Sequence, residues 1–338
     1  MTKIRMAQYG TKHGHAAGKL LSMLNHPDIE VVGVYEPDAA RRAEVANSDD
    51  AFGQVTWFES ADAMLNDASI TAIASEGLNS ESLNFTEAIV DAGKHVWYDK
   101  PAGDNWTQWQ RVVEKARAQE LFLQMGYMFR HQHAFEKLAQ WAKSGALGQI
   151  FSVRAHMSTR LNEAQRAVIS EHAGGILYDL GGHMIDQVVW LLGRPQKVTA
   201  YLRNDGGIVP AFQDNTLAVF EFERALATID IAAMESRPMA RRFEIYGDKG
   251  SAIIVDGFDP SREIRLALEE DIEGYAAGVH YLQWEPQTRQ NMYDRELEAF
   301  VEILRGERAP DRSYDHDLLV QETLLRATGG ITEDSSTV

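Results

Sequence analysis

The chain has 338 residues, a length that suits two domains better than one core. Hydrophobic residues make up 44% and charged residues 25%, which is typical of a globular protein, and no apolar run approaches the roughly 18 residues that a membrane span needs. The net charge of −17 argues against nucleic acid and anionic membranes as partners, and a chain without cysteine cannot form disulfides or thiolate metal sites. The first residues are typical of a strand rather than a signal peptide, so we expect a cytoplasmic protein.

Short apolar strands alternate with helical patterns in the first third of the chain. The predicted strands are Ile4–Gln8, Glu30–Tyr35, Val55–Phe58, Ile70–Ser75, His95–Tyr98 and Leu121–Gln124. The predicted helices are Ala16–Asn25, Asp38–Ala46, Ala61–Asn66, Glu81–Ala92 and Asn105–Gln119. This alternation predicts an α/β domain over residues 1–122, with helices on both faces of a doubly wound parallel sheet and ligands at the carboxyl ends of its strands.

The pattern changes after Met125. A helix at His133–Ser144 leads to a strand at Ile150–His156, and a loop-and-helix region then ends in GGILYDLGGHMIDQVVWLLG. Six strands follow at 197–204, 215–223, 225–234, 241–247, 251–257 and 263–270, before two helices at Tyr293–Arg305 and Asp315–Thr328. Residues 123–338 are therefore predicted to form an α+β domain with a large open, mostly antiparallel sheet. An open sheet needs a cover, so we expect a homodimer or homotetramer.

The turn after the first strand has the sequence QYGTKHGHA, at the place where a dinucleotide-binding domain holds its pyrophosphate. The candidate cofactor-binding residues in this turn are Gly10, Thr11, His13, Gly14 and His15. If Gly10 is the first glycine of the motif, Lys12 and His15 occupy the positions of the second and third. Taken alone, the turn is therefore as typical of a plain tight turn as of a phosphate site.

Glu36 ends the second predicted strand and strengthens the dinucleotide interpretation. An acid at this position accepts hydrogen bonds from the adenine ribose hydroxyls. It would also repel a 2′-phosphate, by roughly 1–4 kcal/mol at a separation of ~4 Å, so NAD is favoured over NADP. The alternative is that Glu36 caps the next helix, because Pro37 and Asp38 follow it directly.

Two further groups carry titratable side chains. Lys100 stands at the carboxyl edge of the predicted sheet in KHVWYDKP, where it would point into the ligand crevice, although Asp-Lys-Pro is also a common turn. Asp179, His183 and Asp186 share one face of the helix that contains YDLGGHMID. A capping aspartate and an ordinary buried histidine would explain single members of this group, but three aligned titratable groups favour a functional site.

These residues together resemble the glucose–fructose oxidoreductase/inositol dehydrogenase (Gfo/Idh/MocA) family. The resemblance runs from about residue 3 to residue 328 and rests on IRMAQYGTKHGHA, VVGVYEPD, AGKHVWYDKPAG, GYMFR, GALGQI, GGILYDLGGHMIDQVVWLLG and RELEAFVEILRGERAP. It implies NAD as cofactor and a sugar or cyclitol-like polyol as substrate. It also implies that Lys100, Asp179 and His183 form the catalytic group.

The sequence departs from the family pattern in three places. Asp99 stands where glutamate is usual, and Lys12 replaces a glycine. The family's Thr-Pro-Asn-x-x-His appears as residues 77–82, where Asn79 is retained near the expected nicotinamide ribose. Further residues that would line the substrate pocket are Tyr127, Arg130, His156 and Arg160, with Arg154 and His172 as lesser candidates. His131 and His133 have no evident carboxylate partner, so no metal site is predicted.

Oxidation of a secondary alcohol requires a base for the hydroxyl proton. A free lysine has a pKa near 10.4 and is almost wholly protonated at pH 7, whereas histidine, near 6.5, needs little adjustment. We therefore expect His183 to be the general acid/base, Asp179 to orient it or bind a substrate hydroxyl, and Lys100 to stabilise alkoxide charge; Lys100 as the base is the alternative. Two other functions stay open: glycoside cleavage through a transient redox cycle of tightly bound NAD, and a non-catalytic NAD-binding regulator.

Overall fold

The computed structural model describes residues 2–332, which divide into two units. The first unit comprises residues 2–128 and 290–318, and the second comprises residues 129–289 and 319–332. The predicted boundary lay between residues 122 and 123 and did not anticipate that residues 290–318 belong with the first unit. None of the helices in residues 2–332 has the length and apolar character needed to cross a membrane.

A five-stranded parallel sheet forms the centre of the first unit. Its strands are β1 (Ile4–Tyr9), β2 (Ile29–Tyr35), β3 (Ala72–Ser75), β4 (His95–Tyr98) and β5 (Leu123–Met125). Their order is β2-β1-β3-β4-β5, so the carboxyl ends of β1, β3 and β4 are neighbours at one edge of the sheet. The predicted doubly wound α/β fold is therefore confirmed for this unit.

The predicted strand at Val55–Phe58 is wrong. Within this segment only Trp57 forms a bridge, to Val34 at the edge of the sheet. A short 3-10 helix at Ala51–Gln54 precedes the segment and another helix begins at Ala61, so few residues remain for pairing.

The helices that connect the strands are α1 (Ala16–Asn25), α2 (Ala39–Val45), α3 (Ala61–Leu65), α4 (Ser82–Asp91) and α5 (Trp106–Ala118).

The second unit contains an eight-stranded sheet in the order β13-β12-β11-β10-β6-β9-β8-β7. Its strands are β6 (Ile150–His156), β7 (Lys197–Arg203), β8 (Asn215–Glu221), β9 (Leu226–Ala232), β10 (Arg242–Gly247), β11 (Gly250–Phe258), β12 (Ser261–Leu268) and β13 (Gly278–Gln283). Only β6 and β9 pair in parallel, which confirms the predicted, mostly antiparallel sheet. The prediction missed β13 because this edge strand buries none of its side chains and has no hydrophobic alternation.

Helices α6 (His133–Lys143), α7 (Glu163–Ile169) and α8 (Ile176–Leu192) belong to this second unit. The helix α8 packs on β6, β8 and β9, where Val153, Ala155 and Ile229 alternate with exposed or half-buried residues. The other face of the sheet has no helix from this unit's described residues. It exposes Tyr201, Leu217, Leu226, Val279 and Tyr281.

Two helices close the described chain, α9 (Arg289–Leu304) and α10 (Tyr314–Thr328). The apolar face of α9 contributes Leu297, Phe300 and Val301 to the core of the first unit, beside Leu20 and Trp97. Burial of this apolar face explains why a C-terminal segment belongs to the N-terminal unit.

Candidate active site

The turn between β1 and α1 leaves space at the start of a helix. Gly10 has a φ of +87°, and a Cβ at this position would lie 2.8 Å from the backbone nitrogen of Gly77, so only glycine fits. A Cβ at Gly14, in contrast, would meet no atom of residues 2–332 within 4 Å. The first turn of α1 contains no acidic residue. An anion can therefore approach the N–H groups of this helix closely.

Glu36 is buried and holds the same turn. One carboxylate oxygen accepts hydrogen bonds from the backbone N–H and the hydroxyl of Thr11, both at 2.8 Å, and the other accepts from the N–H of Asp38 at 3.0 Å. The N-cap of α2 is Asp38, whose side chain accepts from the N–H groups of Ala40 and Arg41. The capping interpretation of Glu36 is therefore wrong.

Lys12, at the position of a usual glycine, points toward two carboxylates. Its ammonium lies 2.9 Å from Glu81 Oε1 and 3.2 Å from Asp38 Oδ2. The residue thus ties the β1–α1 turn to the first residues of α2 and α4. Asn79 lies half-buried in the turn between β3 and α4.

Lys100 follows β4 and is only 3% exposed. Its backbone N–H donates a hydrogen bond of 2.8 Å to Asp99 Oδ1. The second oxygen of Asp99 lies 2.8 Å from His15 Nδ1, 3.2 Å from Lys19 Nζ and 3.3 Å from His13 Nδ1. Glu76, at the end of β3, approaches the same group, with distances of 3.1 Å to Lys19 Nζ and 3.5 Å to His13 Nδ1. We call these five residues, His13, His15, Lys19, Glu76 and Asp99, the Asp99 cluster.

Charges within the Asp99 cluster oppose the effect of burial. Burial alone would raise the pKa of Asp99, but His13, His15 and Lys19 hold it well below its usual range. Burial lowers the pKa of His13, yet Asp99 and Glu76 outweigh it and the pKa is raised. Burial also lowers the pKa of His15, and here the opposing effect of Asp99 is too small to restore it.

The donor atoms of His13, His15 and Asp99 lie within 4.8 Å of one another, close enough to hold a metal ion. The buried ammonium of Lys19, however, lies 3.2 Å from the same Asp99 oxygen and supplies the positive charge that a metal would bring. His131 and His133 do not belong to any group of three possible ligands in residues 2–332. We therefore describe the Asp99 cluster as an ionic group of protein side chains.

In the second unit, a pair of glycines positions α8. Gly175 has a φ of +50°, and a Cβ there would lie 2.4 Å from the carbonyl oxygen of Gln213, to which Ile176 donates a hydrogen bond. Asp179 then lies in the first turn of α8, where the helix dipole favours an acid. His183 is buried one turn later, edge-on to the ring of Phe129 at 5.0 Å. The predicted alignment of Asp179 and His183 on one helical face is present.

Asp186, the third member of that predicted group, forms a buried ion pair with Arg130. The Arg130 guanidinium donates to both carboxylate oxygens at 2.8–3.0 Å and lies 4.2 Å from the ring of Trp190. Each side chain thus neutralises the charge of the other. Asp186 therefore has a structural role in this ion pair.

The other predicted pocket residues are distributed over both units. His156 lies on the open face of the sheet, opposite the buried Val153 and Ala155 that face the helices, and contacts Asp230 and Glu235. β-strand alternation turns His156 away from the face on which α8 packs, and its part in substrate binding stays a prediction. Arg160 is exposed. The remaining three contact aromatic or cationic neighbours within their own units: Tyr127 lies 5.4 Å from the guanidinium of Arg312, Arg154 lies 5.2 Å from the ring of Tyr246, and His172 stacks on Tyr178 at 4.4 Å.

Two family models match the chain. One, described as an oxidoreductase family with an NAD-binding Rossmann fold, matches residues 5–127, and the other, described as a GFO/IDH/MocA C-terminal domain, matches residues 135–253. Together these matches cover well over half of the sequence. The chain belongs to the Gfo/Idh/MocA oxidoreductase family. The resemblance inferred from the sequence motifs is confirmed.

Relatives of this Gfo/Idh/MocA oxidoreductase include named dehydrogenases. Trans-1,2-dihydrobenzene-1,2-diol dehydrogenase of Bos taurus is 26% identical over 246 residues, which span 70% of this chain and 69% of the relative. Myo-inositol 2-dehydrogenase of Thermotoga maritima is 24% identical over 232 residues, 66% of each chain. A levoglucosan dehydrogenase solved with NADH and levoglucosan has a TM-score of 0.80 at 16% identity, covering 97% of this chain and 98% of its own, and at this identity it shows the fold alone.

Sequence analysis of this oxidoreductase missed the Asp99 cluster. His13 and His15 were considered only as phosphate-site residues, and Glu76 and Lys19 were not considered at all. The signal was nevertheless present, because His13, Glu76 and Asp99 each follow one of three strands that are neighbours in the sheet. Carboxyl ends of adjacent parallel strands bring such side chains together.

Proposed function

We propose that this protein is an NAD(H)-dependent dehydrogenase that transfers a hydride between nicotinamide and a hydroxyl group of a sugar or cyclitol-like polyol. The observation that carries the proposal is the position of the buried Lys100 at the carboxyl edge of the NAD-binding sheet. Lys100 directly follows Asp99, whose carboxylate lies 2.8 Å from His15 Nδ1, so the lysine lies beside the β1–α1 turn. A buried ammonium next to a dinucleotide turn is well placed to stabilise negative charge on a reacting oxygen.

The first unit has the features that NAD requires. The N–H groups at the start of α1 and the open space at Gly14 suit the pyrophosphate, together with Gly10, Thr11, His13 and His15 in the same turn. Glu36 Oε1 has one hydrogen bond from Asp38 and retains a lone pair for an adenine ribose hydroxyl. Asn79 and Lys100 follow the next strands, on the expected nicotinamide side. When bound, NAD supplies the nicotinamide carbon that accepts or returns the hydride.

His183 is the proposed general acid/base of the reaction. A neutral imidazole accepts the hydroxyl proton during oxidation and returns it during reduction. Asp179, one helical turn earlier, orients His183 or binds a second substrate hydroxyl. Lys100 donates a hydrogen bond to the reacting oxygen and stabilises the developing alkoxide. Lys100, Asp179 and His183 are thus assigned to charge stabilisation, orientation and proton transfer, respectively.

A neutral substrate with several hydroxyl groups agrees with the chemistry of the chain. The net charge of −17 disfavours a strongly anionic substrate. Two relatives are named as dehydrogenases of a cyclic diol and of myo-inositol. Both compounds carry vicinal hydroxyl groups on a six-membered ring. This shared chemistry supports a polyol as the substrate class.

Absorbance at 340 nm tests the proposal directly. The purified protein with NAD is incubated with a panel of inositols, aldoses, cyclic diols and glycosides, and Lys100→Ala and His183→Ala are compared with Lys115→Ala and His133→Ala at exposed positions. A substrate-dependent rise that only the first two variants lose supports the proposal. Net conversion of a glycoside without NADH release, by a protein that co-purifies with NAD, would overturn the proposal. It would support glycoside cleavage through a transient redox cycle of tightly bound NAD instead.

Cofactor preference is tested at Glu36. Glu36→Ser removes the carboxylate that would repel a 2′-phosphate, and Arg41, whose guanidinium lies 3.3 Å from the Thr11 hydroxyl, remains beside the position of that phosphate. We expect the ratio of the NADP to the NAD dissociation constant to fall at least about tenfold, in line with ~1.4 kcal/mol of removed repulsion. An unchanged ratio would contradict the assignment of Glu36 to the adenine ribose.

We also propose that a second copy of the chain covers the open face of the eight-stranded sheet. Strand register aligns Tyr201 with Leu217 and Arg265 with Tyr281 on this face, so exposed apolar side chains border its charged centre. A sheet face of this kind is the usual interface of a homodimer or homotetramer. Light scattering that gives a monomeric mass would overturn this proposal, and Tyr201→Glu with Tyr281→Glu should convert an oligomer to monomers.

A further inference from the structure

We propose that Asp99 is a positioning residue that holds Lys100 at the end of β4 through the Asp99 cluster. This inference rests on the proposed function, since it assigns a role to the supports of Lys100. It concerns charged residues that the glycine motif itself does not contain, because Lys19 lies within α1 and Glu76 and Asp99 follow β3 and β4.

The side chain of Asp99 is hydrogen-bonded to the backbone of Lys100. Asp99 Oδ1 accepts the backbone N–H of Lys100 at 2.8 Å, so the carboxylate fixes the peptide unit that carries the lysine. Gly126 allows the close approach of β5, because a Cβ there would lie 2.9 Å from the same Asp99 oxygen. The carboxylate of Asp99, at the end of the same strand, therefore restricts the backbone of Lys100.

Asp99 is itself held in place by the other members of the Asp99 cluster. Its other oxygen contacts His15 at 2.8 Å and the fully buried ammonium of Lys19 at 3.2 Å. Lys19 also lies 3.1 Å from Glu76 and 4.3 Å from the ring of Trp97. Both oxygens of Asp99 thus need a donor or a cation opposite them, and the carboxylate cannot rotate without losing one of these contacts.

The Asp99 cluster is energetically costly because its charged side chains are buried. Ionic side chains buried away from water are expensive to desolvate, and apolar residues of similar size would stabilise a sheet edge as well. Clusters of buried groups with shifted pKa values occur preferentially at functional sites. The direct covalent link from Asp99 to Lys100 connects this costly cluster to the one residue of this unit that the proposed chemistry needs.

The shorter acid also explains the unusual residues around it. The sequence motif has aspartate where the family usually has glutamate, and His13, His15 and Lys19 all approach the Asp99 carboxylate within 3.3 Å. A longer side chain would meet these groups. Asp99→Glu is therefore expected to keep the charge but not the position of the carboxylate.

Asp99→Asn is the main test, with Asp317→Asn as a matched control. An amide offers one acceptor and one donor, whereas both sides of Asp99 require an acceptor, so either orientation of the asparagine loses one set of contacts. Asp317 is also buried in the first unit, and its carboxylate accepts a hydrogen bond of 2.9 Å from Arg312. The control therefore removes a buried carboxylate charge that does not belong to the Asp99 cluster.

The readout that does not depend on turnover is the backbone amide of Lys100. In the full-length chain labelled with 15N-lysine, its signal is identified by its loss in Lys100→Arg. We expect Asp99→Asn to accelerate hydrogen exchange of this amide at least about tenfold, while Asp317→Asn changes it less than about twofold. If Asp99→Asn does not fold, His15→Gln must displace the same signal; an undisturbed Lys100 amide in the folded variants overturns the proposal.

Turnover gives the second readout. With the substrate identified above, Asp99→Asn is expected to lower kcat about 100-fold, and Asp99→Glu to restore kcat only partly. Equal losses of kcat in Asp99→Asn and Asp317→Asn would reduce Asp99 to a structural residue and overturn the proposal. A wild-type protein without dehydrogenase activity would refute the proposed function, while the Lys100 amide would still decide whether Asp99 positions the lysine.

Discussion

Each unit contains a histidine between two carboxylates, but the surroundings of the two groups differ. In the first unit, His13 lies 3.3 Å from Asp99 and 3.5 Å from Glu76, and both acids are buried. In the second unit, His156 contacts Asp230 and Glu235 on the open face of a sheet, where the side chain of Asp230 is 50% exposed. The three residue types are the same, so the comparison shows the effect of burial together with the charges of Lys19 and His15 that accompany it in the first unit.

The two groups reach a similar protonation preference by different routes. Hydrogen bonding to Asp230 is the main reason that the pKa of His156 is raised. For His13, burial is the largest influence and acts in the opposite direction, and the pKa is raised only because Asp99 and Glu76 outweigh it. Near water such a group is weakly coupled to its neighbours, whereas in the interior each member depends on the charge of the others.

The largest effect is expected from Lys19→Met. This change removes the fully buried ammonium that lies 3.1–3.2 Å from Glu76 and Asp99, and two buried carboxylates lose their main cation. We expect a loss of roughly 3–5 kcal/mol in the free energy of unfolding of the first unit. Urea unfolding followed by tryptophan fluorescence measures it, since Trp97 lies against the Lys19 ammonium.

The control is Lys115→Met, which breaks the exposed pair of Lys115 with Asp91 in the same unit. Exposed pairs of this kind contribute at most about 1 kcal/mol. Equal losses in the two variants would show that burial does not distinguish the Asp99 cluster from a surface ion pair.

The next effect concerns Glu296, which is buried on α9. Burial raises the pKa of Glu296 to about 8, and Asp99 and Glu76 add to this rise while Lys19 opposes it. A raised pKa in the folded state means that stability present below the unfolded value, near 4.5, is lost as the pH rises through about 8. Glu296→Gln removes the ionisable group and should therefore stabilise the protein increasingly from pH 5 to pH 8.

The gain from Glu296→Gln should approach a few kcal/mol at pH 8, since each unit of pKa shift corresponds to about 1.4 kcal/mol. At pH 5 the two proteins should unfold within about 1 kcal/mol of each other, because the glutamate is then protonated in the folded state. Thermal unfolding across this pH range provides the measurement. A pH-independent difference would mean that Glu296 is ionised in the folded protein. Nearby positive charges would then offset its burial more strongly than its contacts indicate.

The sequence was sufficient to predict most of the fold. The helix Ala16–Asn25 and the strands His95–Tyr98 and Ile150–His156 have the predicted bounds because their apolar periodicity is regular and their ends carry clear turn residues. The strand at Val55–Phe58 was wrong and β13 was missed, because short edge segments have little periodicity. The return of α9 to the first unit depends on packing between distant segments, which a local pattern does not contain.

The candidate site was only partly accessible in the same way. Lys100, Glu36 and the pair Asp179 and His183 could be found because a strand end or a helical spacing marks each of them. Lys19 could not, because a lysine among the apolar residues of α1 is usually expected to extend to solvent. Its burial depends on Asp99 and Glu76, which lie 57–80 positions away along the chain and meet it only through the strand order.

The smallest effect is expected at His156, on the exposed side of the comparison. Its raised pKa contributes stability that is fully present below the unfolded value of about 6.5 and is lost as the pH rises through the folded value. His156→Gln should therefore cost a fraction of about 1 kcal/mol at pH 5.5 and almost nothing at pH 9. The free energy of unfolding, measured at both values in low and high salt, gives this difference and its screening.

The salt dependence of the His156→Gln effect distinguishes an open sheet face from a covered one. If the open face is exposed to solvent, ions at about 1 M should remove most of the His156 contribution, because the screening length falls to roughly 3 Å. If a second copy of the chain covers the face, Asp230 is no longer half-exposed and the contribution should persist in salt and increase with protein concentration. An effect of His156→Gln that resists salt and depends on protein concentration would therefore mean that His156 is shielded from solvent ions, as the buried His13 is. This result would support the proposed oligomer.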